Sequence, residues 1–229
     1  MSRINSKNVK LKRRKMMGVK KLFWNDPYLS KTTAIVTKVD GLMVKLNQTI
    51  IYAFSGGQQS DSGKIGNYEV IDAKKDGLDI IYTLPENHEL QKGQEVVVEI
   101  DWEKRYRIMK LHFAAEIILE LMYQNYNEPE KIGANITSDK ARIDFYWDGK
   151  ISETFPLLEK KAMELIDADL EINSEYDDQE NQIRYWEIKG FGKVSCGGTH
   201  IRRTGEIKEI KLKRNNIGGG KERIEIYLV

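Results

Sequence analysis

One cysteine, three histidines and four prolines are spread over 229 residues. A single thiol forms no internal disulfide, so nothing in the chain calls for an oxidising compartment. Long hydrophobic runs are missing too. The longest nearly apolar stretch, Phe113 to Met122, is interrupted by Glu116 and Glu120 and is too short to cross a bilayer. The basic N-terminus has no apolar region behind it, which argues against a secretory signal. Net charge is small: 37 Lys and Arg against 35 Asp and Glu give +2. That balance excludes a uniformly basic nucleic-acid coat and an acidic solvating tail alike. With 40% hydrophobic and 31% charged residues, the expectation is a soluble, cytoplasmic globular protein of one large domain or two small ones.

The charge is unevenly placed. Residues 1 to 21 carry Arg3, Lys7, Lys10, Lys12, Arg13, Arg14, Lys15, Lys20 and Lys21 and no acid. The remaining chain holds 28 basic residues against 35 acidic ones. A basic arm on an acidic body suits a polyanion such as RNA, whereas a solvated tail needs no partner. A third reading places the natural start at Met16 or Met17.

From Thr32 to about Ile100 the pattern is that of short strands. Thr32 to Val39 is rich in β-branched residues, Asp40-Gly41 marks a turn, and Leu42 to Leu46 follows. Thr49 to Ala53, Tyr68 to Ile71, Leu78 to Thr83 and Glu95 to Ile100 complete six candidates, which predicts a small barrel or curled sheet. The period then changes. Between Glu103 and Tyr126, Ile108, Leu111, Ala115, Ile118, Leu119 and Met122 recur at three- and four-residue steps, predicting a long helix. A second helix is expected from about Pro156 to Ala168. Further strand candidates lie at 142–147, 183–188, 206–212 and 223–229. The fold class expected is α+β: a β-barrel over residues 22–101, then an α+β domain over 102–229 containing the long helix.

Scarcity makes two clusters conspicuous. His112 and Glu116 lie four apart on the long helix, so they share a face; they suit two metal ligands or the polar edge of an amphipathic helix. Cys196-Gly197-Gly198-Thr199-His200 sets a thiolate and an imidazole close together, with glycines between them that permit a tight turn. Zinc accepts sulfur, imidazole nitrogen and carboxylate oxygen, so His112, Glu116, Cys196 and His200 are a compatible donor set. The 84-residue separation of His112 and Cys196 excludes a compact zinc-finger loop. A third stretch, Ser55 to Gly63, holds glycines and small polar residues that suit either a flexible hairpin or a substrate-facing loop. Its Gly63-Lys64 is no nucleotide-binding P-loop, because the gap from Gly57 is one residue too long and Ile65 stands where Ser or Thr would bind magnesium. No ATP site is seen. His88 reads as a loop residue.

Together these segments resemble the AlaX alanyl-tRNA editing proteins and the editing domain of alanyl-tRNA synthetase. Leu22 to Leu29 is similar to the family's opening. Phe54-Ser55-Gly56-Gly57-Gln58-Gln59-Ser60-Asp61-Ser62-Gly63 resembles a shortened form of its "F-x-x-G-G-G-Q-P-x-D-x-G" loop. Arg107 to Glu116 aligns with the helix carrying "H-x-x-x-H", and Ala141 to Phe145 with "A-R-L-D-F". Cys196 to His200 and Thr204 to Ile207 match "C-G-G-T-H" and "T-G-E-I". The order is preserved over residues 22–229.

The resemblance implies a hydrolase that removes serine or glycine from mischarged alanine tRNA, on a glycine-containing β-barrel followed by a Zn2+-bearing domain shared with threonyl-tRNA synthetase. It implies metal ligands His112, Glu116, Cys196 and His200, catalytic Glu116, Ser62 and Gln58, and substrate contacts at Gly56, Gly57, Asp61, Gly197, Gly198 and Thr199. Two departures stand out. Glu116 replaces the second helix histidine and reads as an oxygen ligand, as a general base acting through water, or as the mark of a lost metal. Gln59 and Ser62 stand where proline and threonine are usual, and the smaller hydroxyl side chain leaves more room in the amino-acid pocket if it lines it. The alternative function is a non-catalytic, metal-stabilised tRNA-binding protein in which Glu116 closes a four-ligand site.

The basic arm gives a first prediction. Deleting residues 1–15 weakens tRNA binding and flattens its dependence on salt, because fewer counterions are released. Titrations at several salt concentrations check this; an unchanged affinity and slope assign the segment to a solvated tail or a false start.

Overall fold

The structure, a computed structural model, describes residues 18–229. The sequence expectations for most of the basic arm and for a start at Met16 or Met17 therefore lie outside the described residues. Its N-terminal half contains β1 (Lys20–Lys21), β2 (Lys31–Asp40), β3 (Met43–Leu46), β4 (Gln48–Thr49), β5 (Gly63–Ile65), β6 (Tyr68–Glu69), β7 (Asp72–Asp76), β8 (Asp79–Thr83) and β9 (Glu95–Ile100). Helix α1 (Trp102–Asn125) follows, then β10 (Lys131–Ile136), β11 (Ala141–Tyr146) and α2 (Phe155–Asp167). The chain ends with β12 (Asn173–Asp178), β13 (Ile183–Ile188), β14 (Gly192–Ser195), β15 (Ile210–Gly218) and β16 (Lys221–Leu228). Strands and two α-helices in separate runs make an α+β fold.

Seven strands form one antiparallel sheet in the order β6-β5-β9-β2-β3-β8-β7. The expected barrel is corrected here: the sheet curls, but its end strands β6 and β7 do not pair, so it stays half open. The cause is at the edges. β6 is only two residues long, and β7 carries exposed Lys74 and Lys75, features that blunt an edge against further pairing. Inside the curl, Val36, Val44, Ile50, Ile51, Ile65, Tyr82, Leu84 and Val98 are buried in one apolar cluster. A second cluster surrounds α1 and includes Ile108, Met109, Leu111, Phe113, Ile117, Met122, Phe145, Trp186 and Ile224. A four-stranded sheet, β10-β11-β16-β15, packs on α1, and β12-β13-β14 form a third sheet.

The α1 helix begins where predicted, within a residue. Asp101 caps it by accepting from the Lys104 N–H at 3.0 Å. Twelve of its side chains are buried on all sides, so it is a central helix rather than a surface one. Pro156 sits in the first turn of α2, where its missing N–H has no helical partner to lose. Among the described residues, no helix is long and apolar enough to cross a membrane.

The strand expectations miss the short β1 and β5, the latter paired on both sides, and fail otherwise at edges and at one buried loop. β7, β10, β12 and β14, all edge strands, were not predicted. β7 and β12 are strongly polar, and an edge with both faces near solvent leaves no alternation to read. Thr49 to Ala53 is a strand only at its first residue. There the Ile51 N–H donates to Thr49 Oγ1 and the Ile50 carbonyl accepts from Arg105, so side chains replace the ladder. In the 206–212 candidate, Thr204–Ile207 is a 3₁₀ turn and β15 starts only at Ile210.

Arg105 joins the two clusters. Its fully buried guanidinium donates to Asp61 Oδ1 at 2.7 Å and also to Asp61 Oδ2, to the Ile50 carbonyl at 2.6 Å, and to the Pro27 carbonyl at 3.0 Å. Removing one partner of such a pair leaves an uncompensated buried charge, which destabilises by about 3–5 kcal/mol. Asp61→Asn is therefore expected to lower unfolding stability by about that much in urea denaturation. Lys31→Ala, which breaks the exposed pair with Glu99, should leave the midpoint nearly unmoved.

Candidate metal centre

α1 and two loops bring the scarce donors together. His112 and Glu116 project from one helical face, with His112 Nε2 3.2 Å from Glu116 Oε1. Cys196 follows β14, where its N–H donates to the Arg184 carbonyl at 2.9 Å. Its Sγ lies 3.6 Å from His112 Nε2, 3.3 Å from His200 Nε2 and 3.4 Å from Glu116 Oε1. The donor atoms of His112, Cys196 and His200 all fall within 4.8 Å of one another, a set that can hold a metal ion. Both histidines are buried and Cys196 is half-buried. Glu116 stands beside this group: one oxygen faces His112 and Cys196, and the other accepts from Trp186 Nε1 at 2.9 Å.

The electrostatics follow from burial and crowding. Burial disfavours charge on His112, but the Cys196 sulfur and then Glu116 outweigh it and push the imidazole up to about 10. Burial likewise opposes ionisation of Glu116, yet the hydrogen bond and charge of His112, with help from His200 and Trp186, hold its carboxyl down to about 2. His200 moves the other way, to about 3, through burial and then the His112 charge. The pocket thus favours an ionised carboxylate facing positive charge. His200 Nδ1 pairs with Ser174 Oγ at 2.9 Å, which leaves Nε2 toward Cys196. His112 Nδ1 has no hydrogen-bond partner among the described residues.

The glycine loop of the N-terminal half is pinned rather than free. Gly56 and Gly57 both have positive φ, and Ser55 and Gln58 close the turn with reciprocal backbone bonds. The loop then lies along β10: Ile136 N–H donates to the Gly57 carbonyl at 2.8 Å, and Gln59 N–H to the Ile136 carbonyl at 2.9 Å. A Cβ at Gly57 would lie 2.5 Å from the Ala134 carbonyl oxygen, so only glycine permits this approach. Buried Gln58 reaches across and clasps Thr199 twice. Its Nε2 donates to Thr199 Oγ1 at 2.8 Å, and its Oε1 accepts the Thr199 N–H at 3.0 Å.

The expected site residues are therefore sorted by position. His112, Glu116, Cys196 and His200 meet, while Gly198, Thr199 and Gln58 pack directly around them. Gly197 accepts from Trp24 Nε1 at 2.8 Å. Asp61 is turned into the Arg105 ion pair. Ser62 accepts from Lys104 Nζ at 2.6 Å, two helical turns and roughly 12 Å before His112 along α1, so the structure does not bring it to the cluster. Gly56 has open space around it. Sequence reasoning missed Ser174 and Trp186, which orient His200 and Glu116; neither sits in a motif or a recognisable spacing. A cavity of about 150 Å³ opens beside His200 and Thr199 and is walled by Trp24, Ser174 and Arg184.

Comparison with known proteins gives first the class. Residues 184–225 match the threonyl and alanyl tRNA synthetase second additional domain. The chain is 30% identical to the alanyl-tRNA editing protein AlaX-M of Pyrococcus horikoshii, over 91% of this chain and 97% of that one. It is 31% identical to AlaX-M of Methanosarcina acetivorans, over 91% and 98%. An alanine–tRNA ligase of Methanococcus aeolicus matches at 29%, over 89% of this chain but only 25% of the ligase. The chain belongs to the AlaX family of alanyl-tRNA editing proteins, as its motif order predicted, these two editing relatives being of the AlaX-M kind, and the family implies tRNA as partner.

Adjacent glycines in the Cys196–His200 loop should respond oppositely to substitution. A Cβ at Gly198 would lie 2.0 Å from His112 Cε1 and 2.7 Å from Gln58 Oε1, whereas Gly197 has nothing within 4 Å. Gly198→Ala is expected to lose about 1–3 kcal/mol of stability through overpacking. Gly197→Ala should stay within about 0.5 kcal/mol of the parent. Urea unfolding of both variants measures the contrast.

Proposed function

We propose that this protein hydrolyses the ester that joins a wrong amino acid, serine or glycine, to alanine tRNA, with Zn2+ held by His112, Cys196 and His200. The observation that carries this reading is the three-donor cluster of a family member. With sulfur-to-nitrogen separations of 3.3 and 3.6 Å and all three donor atoms within 4.8 Å of one another, His112, Cys196 and His200 would hold a single zinc ion between them. When bound, zinc supplies Lewis acidity toward an ester carbonyl or a water. The residues do the rest. Glu116 is held ionised with Trp186 on Oε2, so Oε1 is the oxygen placed to take a proton from the attacking water. Water adds to the carbonyl carbon, the bond to the ribose oxygen breaks, and that oxygen leaves with a proton.

The Gln58–Thr199 clasp keeps the Cys196–His200 loop against α1, which makes Gln58 a positioning residue. In this reading residues 22–101 form one domain that presents the clasp, and 102–229 form the second, which holds the donors. The cavity of about 150 Å³ beside His200 has the scale of a small aminoacyl group. One observation favours the non-catalytic alternative: Glu116 Oε1 is close enough to both His112 and Cys196 to close a four-donor site.

Turnover decides between them. Serine-charged alanine tRNA is expected to release free serine with the purified protein, and chelation is expected to stop it; binding without release supports the closed module. Glu116→Gln, which keeps shape but removes charge, is expected to retain zinc by elemental analysis and lose roughly 10²-fold or more in rate. Zinc lost from Glu116→Gln but kept by Glu116→His makes Glu116 a ligand instead. Full activity in Glu116→Ala removes it from both roles.

A further inference from the structure

Trp24 is the shared wall of three openings. It borders the cavity beside His200, a second cavity of about 120 Å³ that reaches Gly197, and a larger cleft of about 670 Å³ lined also by Lys20, Lys21, Tyr176 and Gln182. The indole is held at its edge and carries cations over its ring. Its Nε1 donates to the Gly197 carbonyl, Phe23 and Tyr176 stand edge-on to it at 5.4 and 6.0 Å, and the side chain is only half-buried. Two largely buried cations, each also hydrogen-bonded within the protein, lie beside it. Lys21 Nζ lies 4.7 Å from the Trp24 ring centre, and the Arg184 guanidinium lies 5.7 Å from Trp24 and 4.6 Å from Tyr176. Two cations and one acid, Glu180, line the larger cleft.

Aromatic rings flanked by Lys and Arg are the recurring means of holding single-stranded nucleic acid: the base stacks and the cations meet phosphate. The position matters as much as the chemistry. A ligand with a small acyl group beside His200 and a nucleoside in the larger cleft must pass along Trp24. We propose that Trp24, with Tyr176, Lys21 and Arg184, seats the 3′-terminal adenosine of the charged tRNA. The identity of this ligand rests on the deacylase reading above; the stacking seat itself does not.

Binding of uncharged oligonucleotides separates the two. The trinucleotide CCA and the dinucleotide CC are titrated calorimetrically into the full-length protein and into Trp24→Ala, Trp24→Phe and Tyr176→Ala variants. CCA is expected to bind the parent about 5- to 150-fold more tightly than CC, the range for one stacked base. Trp24→Ala should erase that advantage, Trp24→Phe should keep most of it, and Tyr176→Ala should reduce it. If Trp24→Ala fails to fold, the Phe and Tyr176 variants carry the comparison. An adenosine advantage that persists unchanged in both Trp24→Ala and Tyr176→Ala overturns the proposal while leaving the deacylase reading intact. Loss of the advantage in Trp24→Ala, in a parent that releases no serine from charged tRNA, supports the seat and removes the deacylase.

Discussion

Two hydrogen bonds between Gln58 and Thr199 link residues 141 positions apart, and the arrangement of the donor cluster depends on them. Gln58 belongs to a loop that emerges from the curled sheet, and Thr199 to the loop that carries Cys196 and His200. Both side chains are buried, so neither amide nor hydroxyl can turn to water without loss; paired, they act as a strong positional constraint. The clasp holds the Gly198 backbone so close to His112 that no side chain fits between them. Below it, the Asp61–Arg105 pair ties the same loop to the first turns of α1. One stretch of ten residues thus ties the helix that bears His112, through Asp61, to the loop that bears Cys196 and His200, through Gln58.

This explains how a site with few donors is kept specific. The chain brings one thiol, two imidazoles and a carboxylate into contact in a largely buried volume. Such crowding is unfavourable unless each group has a fixed partner. Ser174 fixes His200 and Trp186 fixes Glu116; the two imidazoles move apart, His112 upward beside Cys196 and Glu116, and His200 downward through burial and the His112 charge. His112, Cys196 and His200 form a donor set that can hold a metal ion.

The sequence was most informative where chemistry is local or period is long. The 24-residue α1 showed itself through its apolar spacing, and the Cys196–His200 loop through its composition. The α+β class followed from the change of period at residue 101. What escaped was non-local. Edge strands β7, β10, β12 and β14 lack a buried face to alternate, and the open sheet edge is a property of pairing rather than of any one strand. Asp61 looked like a loop polar residue facing substrate, but its partner Arg105 lies 44 positions on, with no shared motif. Ser174 gave no signal because its role comes only from register, two elements before the residue it holds. Trp24 lay in a family-like opening, yet only the cavities around it give that position a use.

The central claim is that His112, Cys196 and His200 jointly hold one metal ion. An anomalous difference map collected at the zinc absorption edge, from crystals of protein purified without added metal, tests it directly. The account predicts one peak between His112 Nε2, Cys196 Sγ and His200 Nε2. Zinc detected in the protein with no peak at those three atoms, or with its peak elsewhere, would contradict it.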